Sequence, residues 1–223
     1  EQKSQWLQIR REKPDYVLMW GWGVMNQVAI QEAANIRYPM ENFIGVWWSG
    51  SENDVLPAGD KANGYKALAF HNVGSDFPIF DDIKKYVVDT GKAAGAGDQI
   101  GTVLYNRGMY NALLLTEAAK TAQALAGKSA ISQGDMIKGM EALEITEDKM
   151  AALGLPGFGP SFKVSCQNHG GDGMVGVAQW DANAGKWSLI SNYQQSDMSV
   201  LQPLIDADSG AFASENNLTP NCN

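Results

Sequence analysis

A few short segments carry the residues with chemical potential. The first, GWGVMN (Gly21–Asn26), follows an apolar run and precedes a helical pattern. It resembles part of a GxGxxG dinucleotide fingerprint, whose glycines let the backbone turn tightly and approach a pyrophosphate. Asn26 stands where the third glycine belongs, and no acidic partner closes the next strand. Glycines at a strand's carboxyl end also let the backbone approach a small ligand, with Trp22 as a pocket wall. The second segment is VWWSGSEND (Val46–Asp54). Two adjacent tryptophans on a strand point to opposite faces, so one of Trp47 and Trp48 should enter the core and the other reach a cleft. Ser49, Ser51, Glu52 and Asp54 add hydroxyls and carboxylates in the same loop. Aromatic walls with a few polar groups suit small-ligand binding. The same residues fit a capped helical turn, with Ser51 or Asn53 as the cap. His71, at the end of a third apolar run, reads as a ligand contact or a hydrogen-bonded structural residue. Tyr105, in Tyr105-Asn106-Arg107, reads equally as closing a cleft or packing in the core.

No catalytic set emerges. GxSxG is absent, and His71 and His169 are the only histidines, with no CxxC or HxxxH spacing for a metal. Cys166 and His169 could be argued as nucleophile and base, but the surrounding QNHGGDG reads as a glycine-rich hairpin loop. The expectation is a binding protein, not an enzyme, with no cofactor and no metal. The two cysteines, Cys166 and Cys222, fit either one disulfide in an oxidising compartment or two unrelated thiols.

These segments need a scaffold. Ser4–Lys13 reads as a helix ended by Pro14, and Tyr16–Trp20 as a buried strand. Gly21–Asn26 then reads as a turn and Gln27–Arg37 as a helix with Val28, Ile30 and Ala34 on its buried face. Phe43–Trp48 and Tyr65–His71 read as the next two strands. Strand, helix, strand, loop, strand at this spacing predicts right-handed crossovers and a parallel sheet. Pro78–Thr90 has a helical pattern, and Gly91–Gly97 is a flexible connector. Helices are predicted over Gly101–Leu125, over Ser132–Leu143 with Ser132 as cap, and over Thr146–Leu153. Phe162–Ser165, Met174–Trp180 and Lys186–Ile190 read as short strands, with Asp181–Gly185 making a hairpin of the last two. Ser199–Asp206 reads as a final short helix.

The chain has 17 basic and 25 acidic residues in 223, a net charge of −8 with no compensating basic run. Such a chain repels phosphate backbones, so nucleic acid and anionic membrane surfaces are not expected partners. No apolar stretch is long enough to span a bilayer.

The order QWLQIRREKPDYVLMWGWG, FIGVWWSGSE, GYKALAFH resembles the branched-chain amino acid binding family of periplasmic receptors for ABC-type importers. LYNRGMYNALLLTEAAKTAQ is similar to that family's long helix, and SFKVSCQNHGGDGMVGVAQWDANAGKW to its late strands. The resemblance implies a type I periplasmic-binding-protein-like α/β fold and a periplasmic location. It further implies capture of a small solute by hinge closure between two lobes, and delivery to a membrane permease. It favours a Cys166–Cys222 bridge. It covers only the later part of such a receptor, so the chain is expected to be a fragment. Residues 1–75 would then be a second-lobe α/β segment, 76–160 the crossover and helices of an incomplete first lobe, and 161–223 the return to the second lobe. With Leu104, Leu113 and Leu115 short of a sheet, the fragment is expected to self-associate.

Carried over, the ligand contacts are Gly21, Trp22, Gly23, Trp47, Trp48 and Ser49, joined by Glu52, His71 and Tyr105 from the reading of the segments. Amino-acid binders in the family place a carboxylate just after the second matching strand. Here Trp47 or Trp48 occupies that place and Glu52 lies further on. The ligand classes that remain are an amino acid, an amide and an aromatic or carboxylic compound. The rival readings are a ligand-sensing domain of a signalling protein and a Rossmann-like nucleotide-dependent enzyme.

Overall fold

A computed structural model of the chain describes residues 2–219 and 222. The chain divides into two compact units. The first comprises residues up to Tyr110 together with Glu147–Pro160 and Val175–Tyr193. It is built on a sheet in the order β1 (Val17–Met19), β2 (Phe43–Gly45), β3 (Lys66–Ala69), β6 (Met174–Asp181), β7 (Lys186–Leu189). The first three strands are parallel, with Val17 opposite Phe43 and Ile44 opposite Lys66. Strand β6 runs antiparallel to β3, and β7 antiparallel to β6, pairing Trp180 with Trp187. The expected parallel pairing of the first three strands and the late hairpin are both present. Asp181 closes the hairpin turn by accepting the Asn183 and Ala184 N–H groups on Oδ1.

Helix α1 (Lys3–Glu12) ends at Lys13, whose left-handed conformation (φ 51°) returns its N–H to the Ile9 carbonyl ahead of Pro14. The helix buries Trp6 edge-on against Phe43, with ring centroids 5.0 Å apart. Helix α2 (Val24–Asn35) places Ala29, Ile30 and Ala33 in the same core, with Tyr65, Ala67, Ala178, Trp180 and Trp187. Full burial of a side chain such as Phe43 or Ile30 contributes about 1.5–3 kcal/mol. The short helices α3 (Glu52–Val55), α4 (Pro78–Ile83) and α7 (Glu147–Ala152) complete this unit, along with the first two turns of α5 (Val103–Ala126).

The second unit comprises Asn111–Thr146, Ser161–Met174 and the residues from Gln194 onward. It holds the rest of α5, α6 (Gln133–Glu141), β4 (Glu144–Ile145) paired antiparallel with β5 (Phe162–Lys163), the two-residue β8 (Gln194–Gln195) and α8 (Met198–Glu215). The Ser132 cap is present: its hydroxyl and N–H both bond Asp135, and Asp135 N–H returns to the hydroxyl. Cys166 and Cys222 form a disulfide.

Four local expectations need correction. Strand β1 is not buried: it stands at the end of the sheet order, and Tyr16, Leu18 and Trp20 around it are exposed. Strand β2 stops at Gly45, and Trp47–Ser49 form a 3-10 turn, so the two tryptophans do not alternate across a pleat. Ladder pairing ends when Val46 N–H reaches the Met19 carbonyl, and Ser49 N–H then folds back to the Val46 carbonyl. Helix α2 begins at Val24, three residues before Gln27, because Gly23 (φ 56°, ψ −133°) supplies the break that an L side chain disfavours. Helix α8 continues past Asp206 to Glu215, where Ala, Ser and Gly leave no apolar stripe to announce it.

Candidate functional site

At the carboxyl ends of β1 and β2 four tryptophans meet. Trp22 lies 4.7 Å from Trp48, Trp47 lies 5.2 Å from Trp48, and Trp20 lies 6.0 and 6.2 Å from Trp47 and Trp48 (ring centroids). Trp20, Trp22 and Trp48 remain 72%, 63% and 38% exposed. Exposed aromatic surface normally finds cover, so a cluster of this kind marks an interaction site. It also sits where open α/β sheets bind ligands.

The shelf is held from below by a buried polar network. Asn26 donates through Nδ2 to the Trp48 carbonyl (2.8 Å) and to Asp54 Oδ1 (3.1 Å). Its Oδ1 lies 3.0 Å from the Ser49 hydroxyl, which is also 3.3 Å from the Gly21 carbonyl. Asp54 Oδ2 accepts the Ser51 N–H and hydroxyl, so Ser51 does cap the turn that α3 begins. Tyr65 donates its hydroxyl to the Ser49 carbonyl (2.9 Å). Burial raises the Tyr65 pKa well above its ordinary value, keeping that hydroxyl a donor. Gly21 must be glycine, because a Cβ would run into Asn26 Oδ1. Gly23 faces open space, and its glycine requirement is conformational.

The sequence-derived candidates fall into three groups. Gly21, Trp22, Gly23, Trp47, Trp48 and Ser49 converge on the shelf. Glu52 and Tyr105 instead line a hollow of about 320 Å³ with Asn53, Gln99, Thr102 and Leu104. There the Glu52 carboxylate accepts the Val103 N–H at 3.1 and 3.3 Å, at the amino end of α5. Burial raises its pKa, opposed by those backbone bonds. His71 lies in a third place, buried and stacked on Phe158 (5.4 Å, interplanar 4°), with Phe70 and Tyr110 edge-on. Its Nδ1 lies 2.9 Å from the Asn72 carbonyl, and only the Nδ1–H tautomer satisfies that oxygen. Desolvation lowers its pKa to about 4, so the ring is neutral near pH 7. It reads as structural.

Two contributors escaped the sequence reading. Trp20 sits two residues before Trp22, and in extended chain such neighbours share a face. Asn26 stands out in the sequence only as a missing glycine, although it is the residue that ties the shelf together.

The second unit contains an apolar groove of about 660 Å³ whose lining includes Leu114, Leu115, Ile137, Met140 and Phe162. Glu141, Cys166 and His169 approach one another there, but Cys166 is committed to its disulfide, so neither thiolate nucleophile nor thiolate metal ligand is available.

Residues 1–186 match the family described as periplasmic binding protein. The chain is similar to a solved structure described as an ABC transporter permease from the Pseudomonas fluorescens group, with 40% identity and a TM-score of 0.91 over 100% of this chain and 54% of that one. It shares its fold with a branched-chain amino acid ABC transporter protein from Thermus thermophilus with bound valine (16% identity, TM-score 0.65, 89% of this chain, 50% of that one). The fold is shared too with a solute-binding protein from R. palustris in complex with 4-hydroxybenzoate (13% identity, TM-score 0.60, 91% of this chain, 51% of that one). The chain thus spans about half the length of each of these structures. No curated protein sequence matches it. The parallel β1–β3 sheet, its antiparallel extension and the match over 1–186 agree: this chain belongs to the periplasmic binding protein family, whose members are solute-binding proteins of ABC transporters, and it has their type I fold.

Proposed function

We propose that the chain is part of an extracytoplasmic receptor that captures a compact solute on the tryptophan shelf and presents it to an ABC-type permease. The observation that carries this reading is the exposure of Trp20, Trp22 and Trp48 at the carboxyl ends of β1 and β2. A flat or apolar solute would bury that surface, and the Asn26–Asp54–Ser49 network spares the shelf from reorganising when it binds. Gly21, Gly23 and Ser49 shape its floor. Relatives that hold valine or 4-hydroxybenzoate set the size of solute to try first. Glu52 and Tyr105 act beside the shelf rather than on it, since Glu52 is engaged by the amino end of α5. We assign the sheet-bearing residues 1–75 to the second lobe of such a receptor.

Calorimetric titration with 4-hydroxybenzoate and with valine tests the reading. Binding of either solute that weakens about tenfold in Trp22→Ala or Trp48→Ala is the expected result, since an aromatic contact contributes about 0.5–1.5 kcal/mol beyond its buried area. Binding indifferent to both substitutions would place the site elsewhere.

A further inference from the structure

We infer that Arg107 is the anion anchor of this site, and that the preferred solutes are small monocarboxylates with a flat apolar body. The inference rests on the shelf being the binding surface. Arg107 stands in the second turn of α5, and its Nη2 donates to the Trp47 carbonyl at 2.9 Å. The Phe70 ring lies against the guanidinium, its centroid 5.2 Å from Cζ. These two contacts fix the group beside the turn that carries Trp47 and Trp48.

What the guanidinium lacks, among the described residues, is a counter-ion in direct contact. It offers five N–H donors. Its one hydrogen bond to a described residue goes to a neutral carbonyl, and its Nε is buried without a partner. Among the described residues no carboxylate reaches ion-pair distance of it, and Asp54, already bonded to Ser51 and Asn26, acts on it only from afar. Burial penalises the cation, lowering its pKa. A half-buried cation without a charge partner is costly, and that cost is relieved when an anion arrives. A carboxylate fits because its two oxygens match parallel donors of the guanidinium fork. The proposal places the carboxylate on the guanidinium that holds the Trp47 carbonyl, with the apolar body against the tryptophans.

The test compares 4-hydroxybenzoate with 4-hydroxybenzamide, equal in shape and unequal in charge, by calorimetry on the 223-residue chain and on Arg107→Gln. Gln removes the cation and, being two bonds shorter, also gives up the bond to the Trp47 carbonyl, so the neutral amide serves as the control for the loss of that bond. The expected result is a preference for the acid of about tenfold or more in the native chain, falling to about one in the variant, with amide binding changed less than about twofold. Equal binding of acid and amide by the native chain overturns the anchor while leaving the shelf standing. A preference that survives in Arg107→Gln overturns it too, placing the carboxylate on another group. Binding of neither compound sinks the shelf and the anchor together. The native comparison decides the matter even if the variant does not fold.

Discussion

Replacing Asn26 by alanine should loosen the candidate site without touching a residue that faces solvent. Asn26 is fully buried and bonds the Trp48 carbonyl, Asp54 and Ser49. Its removal leaves the Trp48 carbonyl and an Asp54 carboxylate oxygen short of a partner in a buried place, while the Ser49 hydroxyl keeps the Gly21 carbonyl. Each such group costs about 1–3 kcal/mol, reduced where a neighbour or a water compensates, so a net loss of about 3 kcal/mol is expected. For a chain of this size that corresponds to a midpoint lowered by roughly 6–12 °C. All seven tryptophans lie in the first unit, so their emission reports the unfolding of that unit alone. The assay is urea and thermal unfolding followed by tryptophan emission, native against Asn26→Ala. In the double mutant Asn26→Ala with Asp54→Ala the orphaned carboxylate is gone, so the two losses should be less than additive. A loss below about 1 kcal/mol, or strict additivity, would refute the claim that this network carries the turn.

The remaining predictions concern separate places. His71 has a folded-state pKa of about 4 against 6.5 for an unperturbed ring. Between those values the unfolded chain takes up a proton that the folded one refuses, so stability is full above about pH 6.5 and falls as pH drops towards 4, by on the order of 3 kcal/mol. In His71→Phe that part of the slope should vanish; an unchanged pH profile of the unfolding midpoint would contradict it. Gly21→Ala should cost about 1–3 kcal/mol, because the new Cβ meets Asn26 Oδ1 and crowds Met19 at 3.2 Å. An emission-monitored midpoint equal to that of the native chain would show that Asn26 yields at no cost. Gly139→Ala should also destabilise, although alanine is the better helix former by about 1 kcal/mol. The added Cβ would meet the Ala118 carbonyl and lie 2.6 Å from Ala122 Cβ, so stabilisation seen by circular dichroism would mean that α6 does not pack on α5 this closely. Reducing the Cys166–Cys222 bridge opens a 56-residue separation and should cost about 4 kcal/mol by the loop-entropy relation. A circular-dichroism midpoint unmoved by reductant would count against that figure.

Much of the scaffold was legible because its signals are local. YVLMW, FIGVWW and YKALAFH are short apolar runs divided by helical spacing or glycine, and such alternation leaves few options besides a parallel sheet. The late hairpin announced itself through DANAG, where Asp181 caps the turn and Gly185 takes a positive φ. Element ends were less legible, because they are set by tertiary bonds. Nothing in FIGVWWS says that the Tyr65 hydroxyl, sixteen residues on, will hold the Ser49 carbonyl and fix a turn where the pattern reads as strand. Helix α8 lacked a stripe to count, and its extension past Asp206 is a matter of small residues tolerating helix.

The same division explains the site. Residue type alone picked out the tryptophans and glycines, since a Trp beside a glycine turn at a strand end has few structural uses. Roles that depend on partners could not be read that way. Glu52 offers a carboxylate near the place of an ammonium ligand, but nothing in the sequence shows that it accepts the Val103 N–H at the amino end of α5, fifty-one residues away. His71 reads in the sequence as either a ligand contact or a structural residue, and the rings and backbone carbonyl around it, which favour the second, come from distant segments and from the fold of its own strand end. Arg107 carries no signal beside Tyr105 in the sequence, because the case for it lies in the absence, among the described residues, of a carboxylate within ion-pair distance, and absence has no sequence motif. A charge becomes functional evidence only when the fold has been shown to withhold its counter-ion. That is why the aromatic half of the proposed site can be named from residue types, whereas the anchor proposed for it depends on the three-dimensional neighbourhood of one guanidinium.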